Sequence, residues 1–170
     1  MIEQIGDLLS SGGADSAAGG VLIALCGLFA VCAVRLSVID LREHRLPNRI
    51  IYPWTAATLA LLAAAAVLTG DAVALLRAIM GAVLWSAGFL SVRLIHSPAL
   101  GMGDVKLAAV LGLHAGLPGW STLILAVTAT FLIGGLVALV LLAAGRAGRG
   151  SRIPFGPFML GGTGLALLLG

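Results

Sequence analysis

Long apolar runs alternate with short polar segments along the whole chain. The first run extends from Gly19 to Ile39 and contains one charged residue, Arg35, close to its end. About 20 consecutive apolar residues are enough for a helix to cross a lipid bilayer. Three later runs of similar length cover about 50–69, 72–95 and 120–144. The pattern therefore predicts four full membrane-spanning helices.

Two further apolar runs are short for a full crossing. One covers about Gly103 to Leu117, and the other follows Phe158 and continues to Gly170. Runs of this length fit a short or tilted helix packed inside the protein, and they also fit a partly re-entrant segment. With both included, we expect an all-α integral membrane protein with a bundle of about six transmembrane helices.

Residues 1–18 precede the first run and lack the basic segment that begins a cleavable signal peptide. Ile2, Ile5 and Leu9 are spaced to form one face of a short interfacial helix. A frayed terminus fits this stretch equally well. Both interpretations stay open.

Composition supports a single membrane domain over residues 1–170. The chain is 60% hydrophobic and 10% charged, with a mean hydropathy of +1.13, whereas a soluble domain carries about 25% charged residues. No polar half of the chain could fold separately as a soluble module. Cys26 and Cys32 lie six residues apart in the first run, a spacing that favours two buried apolar residues over a disulfide or zinc site.

The charged residues predict an orientation. If six crossings alternate, one side receives seven arginines: Arg42, Arg45, Arg49, Arg93, Arg146, Arg149 and Arg152. The other side receives four acids: Glu3, Asp7, Asp15 and Asp71. Basic loops stay in the cytoplasm, so both termini are expected outside. This distribution accounts for the net charge of +3 without a nucleic-acid partner, and the loop arginines could hold anionic lipid head groups.

Asp40 and Asp104 fall on the predicted cytoplasmic side, each at one end of an apolar run. Two carboxyls close together in a poorly solvated site cannot both ionise cheaply, so one keeps its proton. The ionised acid can then take a proton from water while the other polarises a peptide carbonyl. Gly101 and Gly103 would allow an extended substrate to approach the backbone closely. The residues therefore favour general acid/base hydrolysis.

Simpler interpretations exist for both acids. Asp104 could be only the N-cap of the fourth predicted helix, a frequent position for aspartate. Asp40 could be a solvated loop residue paired with Arg42 or Arg45. Lys106 could extend to the membrane interface, or it could tune the acid pair.

Three segments in a fixed order carry a family resemblance. They are Asp40 followed by Leu46-Pro47-Asn48, then Gly101-Met102-Gly103-Asp104-Val105-Lys106, then Pro154-Phe155-Gly156-Pro157-Phe158. In these segments the chain resembles the type IV prepilin leader peptidases, membrane aspartyl proteases of the GxGD type. The match extends over most of the chain.

The resemblance implies that Asp40 and Asp104 are the catalytic aspartates and that no metal or organic cofactor is needed. It implies cleavage of leaders from pilin-like or flagellin-like precursors at the cytoplasmic face of the cell membrane. The residues expected to bind substrate or shape the site are Gly101, Gly103, Lys106, Pro47, Asn48, Pro154 and Phe155. Larger relatives carry an insert with two CxxC pairs and also methylate the new amino terminus. Nothing here resembles that insert, so we expect a peptidase without methyl transfer.

Two functions from other classes compete with this interpretation. Buried carboxyls also mark proton pathways, so a small proton-coupled transporter is possible, although both acids lie at one edge of the membrane. A non-catalytic assembly partner that binds pilin helices is the other alternative. Only retained function in the variants of both aspartates would support this assembly-partner alternative.

Overall fold

The computed structural model describes residues 2–11, 13–95, 100–145 and 154–170. Within these ranges the ordered elements are all helices: α1 (Ile2–Ser11), α2 (Gly13–Glu43), α3 (Asn48–Thr69), α4 (Ala72–Ile95), α5 (Met102–Gly116), α6 (Trp120–Ala143) and α7 (Gly156–Leu169). The predicted all-α class is confirmed, and α2 to α7 correspond to the six predicted bundle helices. Four of these, α2, α3, α4 and α6, are long and apolar enough to cross a membrane.

The first membrane helix, α2, is longer at both ends than the predicted run of residues 19–39. Polar side chains after Ile39 do not break the helix, because nothing there removes a backbone donor; the His44 N–H still donates to the Asp40 carbonyl at 2.9 Å. The chain turns at His44, whose φ is 51°, and Pro47 is the N-cap of α3. Asp40 therefore lies in the last turn of a helix.

The helix α1 decides between the two interpretations of the amino-terminal stretch. Residues 2–11 are helical, so the frayed-terminus interpretation is wrong for them. Ile5 and Leu8 pack against an apolar cluster that includes Leu22 and Leu25 of α2. This contact packs α1 against the bundle.

A tight turn at Gly70-Asp71 joins α3 to α4, as the sequence indicates. Gly70 has a φ of 69°, a conformation that glycine adopts without strain. The Asp71 carboxylate accepts a hydrogen bond of 2.9 Å from the Ala74 N–H and so caps α4. The two helices therefore run antiparallel.

The short helix α5 forms the centre of the protein. Every residue from Val110 to Leu117 is buried, so α5 is a short helix packed inside the protein. Its last carbonyls have no partners within the helix. The guanidinium of Arg77 donates to the carbonyls of Gly116, at 3.0 Å, and Leu117, at 2.5 Å. A cation at this end also interacts favourably with the helix dipole.

Glycines let α4 and α5 approach closely. A Cβ built on Gly81 would lie 2.7 Å from the Gly112 carbonyl oxygen, and one built on Gly112 would lie 2.6 Å from the Ala82 Cα. Real Cβ atoms do not come this near to backbone atoms. Close backbone approach at small residues is a common basis of helix packing in membranes.

We expect Gly112→Ala to destabilise the fold by about 1–3 kcal/mol, because α4 and α5 must separate to accept the methyl group. The measurement is the thermal unfolding midpoint of purified protein in detergent. Gly135→Ala is the matched control, since a Cβ at Gly135 meets nothing within 4 Å. An unchanged midpoint for Gly112→Ala would show that the α4–α5 contact is loose enough to accept a methyl group.

Candidate active site

Asp40 lies in the last turn of α2 with 5% of its surface exposed. Its Oδ2 accepts a hydrogen bond of 3.0 Å from the N–H of Gly156, the first residue of α7. Helix amino termini carry unpaired N–H groups and partial positive charge, so they stabilise carboxylates. The interpretation of Asp40 as a solvated loop residue is therefore wrong. A Cβ built at Gly156 would lie 2.7 Å from Asp40 Oδ2, so a larger residue there would have to displace the carboxylate or the start of α7.

Asp104 lies in the first turn of α5 and is half-buried. Its Oδ2 accepts a hydrogen bond of 3.0 Å from the N–H of Gly101, the N-cap residue. An acid at this third helical position that reaches back to the cap forms half of a capping box, and glycine has no side chain to supply the other half. Asp104 therefore caps α5 from within the helix, not from the N-cap position. Its Oδ1 accepts no hydrogen bond in the part of the chain that is described.

The Leu46 side chain lies between the start of α5, which carries Asp104, and the start of α7, which binds Asp40. A Cβ built on Gly103, the neighbour of Asp104, would lie 2.9 Å from Leu46 Cβ. A Cβ built on Gly156 would lie 3.4 Å from Leu46 Cδ2. The starts of α5 and α7 therefore both approach Leu46.

Lys106 connects the start of α5 to the start of α3. Its Nζ donates a hydrogen bond of 2.9 Å to Asn48 Oδ1 and lies 5.1 Å from the centre of the Tyr52 ring. Pro47, immediately before Asn48, accepts hydrogen bonds at its carbonyl from the N–H groups of residues 50 and 51. Lys106 of the second segment and Asn48 of the first thus join the starts of α5 and α3.

Phe155 anchors the segment that precedes Gly156. Its ring centre lies 6.1 Å from that of Phe89, 5.8 Å from that of Phe131 and 6.2 Å from that of Phe158. Pro154 is half-buried directly before it. Four aromatic rings therefore fix the position of the N–H group that binds Asp40.

His114 and the two cysteines lie apart from this site. His114 is buried among the rings of Phe29 and Trp54, ten residues along α5 from Asp104, which is about 15 Å on a helix. Cys26 is half-buried and Cys32 buried, both as free thiols. His96 and the basic cluster of residues 146–152 lie outside the described residues. No group of three or more His, Cys, Asp or Glu side chains that could hold a metal ion occurs within the described ranges.

Two contributors to this geometry were not identified as site residues from the sequence. Gly156 supplies the backbone donor to Asp40, and Leu46 fills the space between the starts of α5 and α7. Both stand inside the segments that carry the family resemblance, which was the available signal. Each of the two carboxyls has one oxygen held by a backbone N–H at a helix start, and carboxyls are groups capable of acid/base chemistry.

Comparison with known proteins identifies relatives over most of the chain. Residues 21–139 match the sequence model of the type IV leader peptidase family. The prepilin leader peptidase/N-methyltransferase of Pseudomonas aeruginosa is 32% identical over 158 residues, covering 90% of this chain and 50% of that protein. The protein of the same name from Xanthomonas campestris pv. campestris is 35% identical over 144 residues, covering 82% of this chain and 46% of its own. The chain thus spans about half the length of these curated relatives. No solved structure matches significantly.

Proposed function

Because the chain belongs to the type IV leader peptidase family, we propose that it is an aspartic endopeptidase that removes leader peptides from prepilin-like precursors. The observation that supports this proposal is that Asp40 and Asp104 each have one oxygen held by a backbone N–H at a helix start, and that Leu46 approaches both of these helix starts. The acids come from α2 and α5 and their donors from α5 and α7. The proposed catalytic unit is therefore the whole bundle, acting as one domain.

The proposed reaction uses the two carboxyls as a pair. One acid is ionised and accepts a proton from water, while the other keeps its proton and donates a hydrogen bond to the scissile carbonyl. Water oxygen bonds to the carbonyl carbon, the C–N bond then breaks, and the leaving amine takes a proton from the pair. The two acids titrate as a unit, so neither role belongs to one residue alone.

The proposed orientation places this site at the cytoplasmic face of the cell membrane. Arg42, Arg45 and Arg49 surround the end of α2 that carries Asp40 and the start of α3. Positively charged loops are retained in the cytoplasm. In this orientation the Gly70-Asp71 turn and α1 lie outside, and the exposed arginines are available to anionic lipid head groups.

The proposed substrates are pilin-like or flagellin-like precursors that carry a leader immediately before an apolar helix. We also propose that this chain does not methylate the product. Only residues 44–47 separate α2 from α3, so this loop has no room for the insert associated with methyl transfer in larger relatives.

The test is co-expression of the protein with a pilin-like precursor, followed by mass spectrometry of the mature amino terminus. The proposal expects a single cut between leader and apolar helix and an unmodified new terminus. Proton flux in proteoliposomes that requires Asp40 and Asp104, without any cleavage, would instead support the transporter. Full function in both Asp→Asn variants would support a non-catalytic assembly partner.

A further inference from the structure

The peptide group that holds Asp104 is itself held from its other side. Its N–H belongs to Gly101 and donates to Asp104 Oδ2 at 3.0 Å. Its carbonyl belongs to Leu100 and accepts a hydrogen bond of 2.6 Å from Nη1 of Arg93, in the last turn of α4. The carbonyl and the N–H of a planar trans peptide group point in opposite directions. The guanidinium and the carboxylate therefore lie at opposite edges of one peptide plane.

The peptide group that holds Asp40 is supported in the same way, but by neutral groups. Its N–H belongs to Gly156 and its carbonyl to Phe155. That carbonyl accepts hydrogen bonds of 3.1 and 3.2 Å from two N–H groups in the first turn of α7. Leu100, in contrast, lies before the N-cap of α5, and the donor to its carbonyl is a side chain of another helix. Arg93 thus gives Asp104 the support that the backbone of α7 gives Asp40.

The Arg93 side chain extends beyond its own helix to make this contact. An arginine in the last turn of a helix commonly interacts with the carbonyls of that turn and with the helix dipole. The guanidinium of Arg93 bonds to Leu100, seven positions further on, and Leu100 is half-buried against the apolar core. Near the other end of α4, Arg77 binds the last carbonyls of α5. Two arginines of α4 therefore hold the two ends of α5.

A charged donor on the carbonyl strengthens the N–H of the same peptide group as a donor. Hydrogen bonds with a charged partner are shorter and stronger than neutral ones, and successive hydrogen bonds within a protein polarise one another. The Arg93 contact therefore has two effects. It fixes the direction of the Gly101 N–H, and it increases the partial positive charge that this N–H presents to Asp104.

We infer that Arg93 is a positioning residue of the proposed active site and acts on Asp104 through the peptide group of Leu100 and Gly101. This inference rests on the proposed peptidase function and adds a residue of α4 to the acids on α2 and α5. Arg93 acts through the backbone and not on the substrate, so its loss should lower kcat and leave KM almost unchanged. A residue that only stabilised the fold would change the amount of folded protein and not kcat per folded molecule.

Three substitutions at position 93 test the inference. Arg93→Met keeps an apolar side chain without a donor, and we expect kcat to fall about tenfold because small displacements of a catalytic group are costly. Arg93→Gln is uncharged and should show a similar loss, so it gives the same comparison if Arg93→Met does not fold. Arg93→Lys restores a charged donor and should be at least about threefold faster than Arg93→Met.

Arg35→Met is the matched control, since it makes the same change at an exposed position of α2. Its kcat should stay within about twofold of the wild type, as expected for a surface substitution. All rates are measured with purified protein and a pilin-like precursor and are normalised to the folded fraction, which a thermal unfolding scan reports.

A double-mutant cycle with Asp104→Asn provides the second arm. If Arg93 acts on the Asp104 carboxylate, Arg93→Met should lower the residual kcat of Asp104→Asn by less than about twofold, because the effects of coupled residues are not additive. A tenfold loss in both backgrounds, an unchanged kcat in Arg93→Met and Arg93→Gln, or a loss confined to KM would overturn the inference. Absence of cleavage by the wild type would instead contradict the peptidase proposal.

Discussion

Replacing either Asp40 or Asp104 by asparagine is expected to lower the rate of leader removal by about 10²–10⁴, the range typical of losing one acid/base group. Asparagine keeps the size of the side chain and can still accept the backbone N–H of Gly156 or Gly101. It cannot exchange a proton with water or with the scissile amide. The loss should therefore appear in kcat while the protein remains folded and inserted. Rates are measured with purified protein and a pilin-like precursor in detergent or proteoliposomes.

Asp71→Asn is the matched control for these two variants. Asp71 is also a carboxylate at a helix start, where it caps α4, but it belongs to the turn at the opposite ends of α3 and α4 from the acids. Asparagine is a good cap as well, so both stability and cleavage should stay close to wild type. Cleavage at the normal rate by Asp104→Asn or Asp40→Asn would remove the acid pair from the mechanism.

Gly156→Ala is expected to lower cleavage by about 10–100-fold, although the substitution adds a single methyl group far from Asp40 in sequence. The new Cβ would lie 2.7 Å from Asp40 Oδ2, so either the carboxylate or the start of α7 must move. Displacement of a catalytic group by about 1 Å can cost about 100-fold in rate. The assay compares kcat for Gly156→Ala and for the wild type.

Gly161→Ala serves as the control on the same helix, since a Cβ at Gly161 meets nothing within 4 Å. Both variants add one methyl group to α7, and only the one at position 156 contacts Asp40, so a difference in rate between them reports that contact. Equal rates for the two variants would mean that the Gly156–Asp40 hydrogen bond does not position the acid. A thermal unfolding scan of both proteins separates lost activity from lost folding.

The sequence predicted most of the fold because the length and apolar composition of membrane helices can be recognised in a sequence. The runs at 72–95 and 120–144 became α4 and α6 with almost the same ends. The Gly70-Asp71 turn followed from local turn chemistry. The predicted end of the first membrane helix was less accurate. The charged residues after Ile39 suggested a loop, whereas α2 continues to Glu43 because no residue in this stretch lacks a backbone N–H.

The two acids of the candidate site were predictable from the sequence, but the residues that contact them were less so. Asp40 and Asp104 stand out because carboxyls are costly in an apolar chain. The donor to Asp40 is Gly156, 116 residues further along the chain. No sequence pattern identifies the N–H of a particular glycine as the donor to a distant side chain. Lys106 donates a hydrogen bond to Asn48, a partner that the sequence does not indicate. Such contacts depend on how helices distant in sequence come together.

The most direct measurement for the central claim is chemical cross-linking between the positions of the two acids. Cys26 and Cys32 are first replaced by alanine, and Asp40→Cys and Asp104→Cys are then combined in one chain. A short bifunctional reagent that alkylates two thiols, applied to membranes, should join residues 40 and 104 within single molecules, and should not join residues 40 and 71 in the matched Asp40→Cys/Asp71→Cys protein. Failure of the 40–104 pair to react, with both thiols shown to be accessible, would contradict a shared site for the two aspartates.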